Sequence, residues 1–186
     1  MPELVRPDPR YQRSFLEAVN EIRALDEDER YCGLTIIGQV GDFEGEFFPF
    51  ESLHDVETFA AYTRRLRELA LPTTWLPESI VPATTLWWVD GEEYLGRLSI
   101  RHSLTPWLFE LGGHIGYVVR PTARRKGSAT AMLIAALPIV HSLGIDPVLV
   151  TCDNTNEPSR KVIETAGGVF EDQREDKLRF WVPTGR

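Results

Sequence analysis

Residues 112–133, GGHIGYVVRPTARRKGSATAML, constrain the fold of this chain more than any other stretch. Gly113 to Val119 is a β-branched and aromatic run, Pro121 ends it, and a basic loop with one glycine leads into an apolar segment that reads as a helix over Arg124 to Leu143, with Pro138 expected to kink it. Gly144 closes that helix before a short apolar strand, Pro147 to Cys152. A strand, helix and strand joined this way form a right-handed crossover and lie parallel in one sheet. The flanking segments fit around it. Asp8-Pro9 reads as a cap and first helical residue before Tyr11, Phe15, Ala18, Val19, Ile22 and Leu25 at helical spacing, ending in the acidic cluster Asp26 to Glu29. Ser52 and Asp55 open a second helix carrying Val56, Phe59, Tyr62, Leu66 and Leu69. Thr84 to Val89, an Asp90-Gly91 turn and Tyr94 to His102 read as a hairpin. A helix over Glu157 to Ala166 and strands near Val169 and Lys177 to Val182 follow. Gly33 to Phe50 has no clean period and reads as loop. The order predicts a mixed α/β sheet in a single domain over residues 1–186.

With 28 acidic against 20 basic residues, the net charge of -8 opposes approach to a phosphate backbone. The two cysteines, Cys32 and Cys152, have neither disulfide-framework nor zinc-knuckle spacing, which fits a reducing, cytoplasmic compartment. The start MPELVRPDPR lacks an apolar core, and the longest apolar run, Ala129 to Val140, is too short to span a bilayer, so neither secretion nor membrane insertion is expected.

The basic loop carries the chemistry. A helix N-terminus offers unpaired N–H groups and a partial positive charge, Gly127 lets a ligand approach backbone, and Arg124, Arg125 and Lys126 add cations at the same place. A pyrophosphate would satisfy them; a solvated basic turn is the plain alternative. The spacing is neither that of a P-loop nor of a dinucleotide fingerprint. Arg124 to Ala129, preceded by Val119-Arg120-Pro121, resembles the R/Q-x-x-G-x-G/A acyl-CoA motif of the GNAT superfamily of N-acetyltransferases. Asn156-Glu157-Pro158-Ser159 and Gly167 match the opening of that superfamily's next helix and the glycine that ends it. Gly113 to Gly168 is also similar to uncharacterised bacterial GNAT proteins with the strings GGHIGY-x-VRP, CD-x-x-N and SRKVIE-x-x-GG.

The resemblance implies a GNAT fold, a mostly antiparallel sheet whose central parallel strands splay apart, flanked by helices. It implies acetyl-CoA in the opening, bound by a core over about residues 84–186, while the helical part over about 8–70 shapes the acceptor site. Backbone of Tyr117, Val118 and Val119 would pair with the pantetheine arm, the N–H groups of Arg125 to Ala129, Ser128 included, would hold the pyrophosphate, and Asn156 would bond the pantetheine. Transfer to a primary amine by direct attack, with no metal, is the activity implied. The acceptor stays open among small amine, antibiotic, peptide N-terminus and lysine. A non-catalytic acyl-CoA sensor and an aminoacyl-tRNA-directed acyltransferase are the alternatives, and dimerisation is common in the fold.

An ammonium is neutral in only about one molecule in two thousand at pH 7, so amine attack needs a path for the proton. Aligned on I-G-Y, His114 stands where many GNAT enzymes carry a glutamate and is the first candidate base, against a satisfied core histidine. His102 is the second, as a cross-strand neighbour of His114; a two-histidine metal site lacks a third ligand. Thiolate departure needs only a modest donor. The tyrosine many relatives place seven residues after the asparagine is Ile163 here. Ser159 replaces it, as in the family's ribosomal-protein alanine acetyltransferases, or else caps the helix; Tyr117 is the other hydroxyl. Cys152 as a nucleophile has no adjacent base, and a buried thiol is its plainer reading. Trp75, Trp87, Trp88 and Trp107 are candidate walls of the acceptor site. Trp87 and Trp88 must point to opposite faces.

Overall fold

The computed structural model describes residues 1–25 and 29–185. The acidic cluster expected at Asp26 to Glu29 lies outside them, apart from the backbone of Glu29. A seven-stranded sheet runs β1 (Glu3–Val5), β4 (Ala83–Asp90), β5 (Glu93–Arg101), β6 (Ile115–Val119), β7 (Val148–Asp153), β9 (Lys177–Val182) and β8 (Val169–Arg174) in spatial order. Every neighbouring pair is antiparallel except β6 and β7. Helix α1 (Gln12–Ala24) and α2 (Val56–Glu68) cover one face, and α3 (Ser128–Ser142) and α4 (Glu157–Thr165) the other.

Alternation along the strands divides the core. Trp87 and Val89 join Phe15, Phe59 and Tyr62 under α1 and α2, whereas Leu86 and Trp88 join Leu98, Ile100, Met132 and Val140 under α3. The two tryptophans therefore do point to opposite faces, and both are core rather than pocket wall. Phe15 and Trp87 stack at 5.4 Å between centroids, an aromatic pair worth about 1 kcal/mol beyond its buried area.

Four details depart from expectation. Three-residue β1 is too short to leave a pattern, and it is fixed by pairing with Trp87 to Val89. The segment over 33–50 contains a small separate sheet, β2 (Thr35–Ile37) with β3 (Glu46–Phe47). Asp55 alone caps α2, accepting from Thr58 N at 2.8 Å, while the Ser52 hydroxyl donates to Pro49 O. Helix α3 starts at Ser128 rather than Arg124, because Pro121–Ala123 forms a tight turn and Gly127 takes φ +80 as the cap; it then continues through Pro138 to Ser142.

The parallel contact between β6 and β7 is short. Ile115 pairs with Val150, and His114 N donates to Leu149 O at 2.8 Å, after which the strands part and, among the described residues, no strand pairs with Tyr117 to Val119 on that side. On the other side β6 pairs with β5 over five positions, from Ile115 to Val119. At the closed end sits Gly113, with φ +62 and ψ -177, a conformation reserved for glycine. A Cβ there would stand 2.9 Å from Leu149 O.

Candidate active site

Where β6 and β7 part, a cleft of about 600 Å³ opens on the α3 and α4 side. Tyr117, Val118, Val119, Arg124, Arg125, Gly127, Ser128, Ala129, Asn156 and Ser159 line it, so the residues expected at a pyrophosphate and pantetheine site are brought together. Lys126 is the exception, exposed and outside the lining. Tyr31, from the turn Glu29–Cys32, also lines the cleft, and nothing in the sequence around it marked that role. Among the described residues no side chain caps the first turn of α3, which lines the cleft and leaves its leading amides open to a ligand. A Cβ on Gly127 would meet nothing within 4 Å, so its φ and the open space beside it both suit close approach by an anion. The Arg124 Nε donates to Val119 O at 3.0 Å, fixing the loop to the end of β6. This donor set, uncapped amides with arginines at a helix mouth and an unpaired strand leading to it, fits an extended ligand with a pyrophosphate.

Deeper in, the Asn156 side chain accepts from Ser159 N at 3.0 Å and is the cap of α4. That releases the Ser159 hydroxyl from capping. It shares a hydrogen bond of 2.7 Å with the Tyr117 hydroxyl, whose pKa is pushed up to about 12 by burial, so both are neutral proton carriers. Burial raises the pKa of the Cys152 thiol, the opposite of what an activated nucleophile needs. Ile163 is fully buried.

The histidines differ from expectation. The His114 Nδ1 accepts from Leu149 N at 3.0 Å, which places the ring hydrogen on Nε2 and commits the lone pair. Burial, then the charge of Arg101, hold its pKa down at about 4. With 7% of its surface exposed, His114 is a strut between β6 and β7 and is poorly suited to be a base. His102 is not its cross-strand neighbour: Arg101 N donates to His114 O at 2.8 Å. His102 instead hydrogen-bonds Thr84 Oγ1 at 2.8 Å, with its pKa lowered by burial, and it lines neither cavity. Among the described residues no three His, Cys, Asp or Glu side chains gather as metal ligands would, and no helix is long and apolar enough to cross a membrane.

A second cavity, about 870 Å³, lies on the other face between β4 and β5, the segment over 35–40 and the segment over 78–81. Arg97, Ser99 and Arg101 form its floor beside Thr85. Trp107 stands on its rim and is 62% exposed, whereas Trp75, 71% exposed, packs on Phe43 outside it. A methyl placed on Gly116 would stand 3.9 Å from Arg101 Nη2, so the floor of this cavity reaches the strand that borders the cleft.

A family model described as acetyltransferase (GNAT) domain matches residues 47–169. No curated protein matches the chain. Among solved structures it is similar to the microcin C7 self-immunity acetyltransferase MccE in complex with acetyl-CoA and AMP, at TM-score 0.60 and 12% identity over 98% of this chain and 92% of that one. It is likewise similar to the ribosomal-protein-S5-alanine acetyltransferase of Vibrio fischeri, at 0.61 and 15% over 99% and 93%. Mutant forms of the spermidine/spermine N-acetyltransferase SpeG of Vibrio cholerae match at 0.58 and 13% over 99% and 95%.

Proposed function

The chain belongs to the acetyltransferase (GNAT) domain family, and from that premise we propose that it moves an acetyl group from acetyl-CoA to a primary amine by direct attack. The observation that carries the reading is the cleft itself, an unpaired edge of β6 leading to the uncapped N-terminus of α3. Bound there, acetyl-CoA supplies an activated thioester. The amides around Gly127 and the cations of Arg124 and Arg125 hold the pyrophosphate, and the free edge of Tyr117 to Val119 orients the pantetheine.

The Tyr117 and Ser159 hydroxyls, already hydrogen-bonded to each other, donate to the departing thiolate. A thiol with pKa near 8.5 needs no stronger acid. The amine enters from the second cavity, and its proton leaves through water there rather than to His114, whose lone pair is taken. His114 and Arg101 hold the closed end of the V in place.

Calorimetric titration with acetyl-CoA, followed by thiol release against a panel of primary amines, tests this reading. Binding with amine-dependent release supports the transferase. Binding with no release under any amine favours a sensor, and no binding overturns the assignment of the cleft.

A further inference from the structure

We propose that the amine acceptor carries an anionic group, a carboxylate or a phosphate, and that Arg101 with Arg97 and Ser99 receives it on the floor of the second cavity. The inference rests on the reading that this cavity admits the acceptor. Along β5, Leu98 and Ile100 point into the core under α3, and Arg97, Ser99 and Arg101 point the other way. Such a polar face would ordinarily be a solvated one. Here the segment over 35–40, Leu66 and Leu69 roof it, so two guanidinium groups stand over a concave space in a chain of net charge -8.

Arg101 is the more telling of the two. Among the described residues no carboxylate pairs with it; Nη1 donates to Gly112 O and Gly113 O, both at 3.0 Å, and Nη2 lies over Gly116. Burial and the charge of Arg97 both disfavour its charged form, and no acid offsets them. Carbonyls orient a guanidinium but do not neutralise it, and an incoming anion would do so with charge-assisted hydrogen bonds. The Ser99 and Thr85 hydroxyls, 3.3 Å apart, add neutral donors. Among the described lining residues Glu78 is the sole carboxylate, and it is exposed on the 78–81 segment. The Arg101 charge on the floor also repels a polycationic acceptor.

The test uses matched amines that differ only in the anion: phenylalanine and phenethylamine, lysine and cadaverine, O-phosphoethanolamine and ethanolamine. Thiol release is measured for each, and the N-acetyl derivative of each is titrated calorimetrically into the free protein, which needs neither acetyl-CoA nor turnover. The anionic member of at least one pair should be favoured roughly ten- to hundredfold in kcat/KM and in binding, and the winning pair separates carboxylate from phosphate. Arg101→Met should reduce that preference, taken as a ratio within the variant itself, below about threefold, and Arg101→Lys should retain part of it. Equal or better use of the neutral partner in all pairs, no binding difference in any pair, or a preference that survives Arg101→Met overturns the proposal. Failure to bind acetyl-CoA would strike the cleft assignment alone, since the anion titration is read without it.

Discussion

Gly113→Ala is the most informative single perturbation. At φ +62 and ψ -177 an L side chain is strained by about 1–3 kcal/mol, and a Cβ at 2.9 Å from Leu149 O forces β6 away from β7 along their short contact. Strain and displacement together should cost about 2–4 kcal/mol. For a domain of this size that lowers the melting temperature by about 5–15 °C. Gly91→Ala is the control, because Gly91 has φ +61 but nothing within 4 Å of an added Cβ; it should cost about 1 kcal/mol. The His114 and Leu149 hydrogen bonds lie beside Gly113, so acetyl-CoA affinity should also fall about tenfold, near 1.4 kcal/mol. Scanning calorimetry with and without acetyl-CoA reads both effects. A Gly113→Ala protein that melts no lower than Gly91→Ala would refute the account of the closed end of the V.

Other consequences are equally direct. Gly127→Val should weaken acetyl-CoA binding at least tenfold, because φ +80 excludes a β-branched residue and the side chain would fill ligand space; unaltered affinity by calorimetry would remove the pyrophosphate from this loop. Ser159→Ala and Tyr117→Phe should each slow turnover about five- to tenfold, with little added effect in the double variant, since the two share one hydrogen bond; additive losses would mean independent roles. His114 has a folded pKa near 4 against an ordinary 6.5, so the unfolded chain binds its proton first. Its contribution is constant above about pH 7, shrinks as pH falls toward 4, and amounts to a loss of about 2 kcal/mol by pH 5. His114→Gln keeps an acceptor for Leu149 N and should abolish that acid sensitivity; an unchanged pH slope in denaturant titrations would contradict it, and a turnover profile that loses a limb near pH 6 to 7 would restore His114 as the base.

What could be read in the sequence was local or periodic. The loop from Arg124 to Ala129 announces itself because a glycine, a row of cations and a helix start are adjacent in the chain. Trp87 and Trp88 were separable because alternation is a property of any strand. The small sheet of Thr35 to Phe47 was hidden, because strands of two and three residues bury almost nothing, Ile37 being the one fully buried side chain among them. His114 could be placed on a face but not assigned a role, since the lone pair goes to Leu149 N, 35 residues away. Arg97, Ser99 and Arg101 alternate with Leu98 and Ile100 in plain view. Any strand with one solvated face gives that alternation, and only the distant segment over 35–40 turns this face into a cavity floor.

The short seam between β6 and β7 divides the sheet into two leaves, β1-β4-β5-β6 and β7-β9-β8, stitched by the Ile115–Val150 pair with the adjoining His114–Leu149 hydrogen bonds and bridged where α3 packs on α4. Each leaf carries a raw edge facing the other across the cleft. Under the proposed function, a pantetheine arm paired with the free β6 edge would fill the gap between the leaves, so loading the protein with acetyl-CoA should also stiffen the sheet.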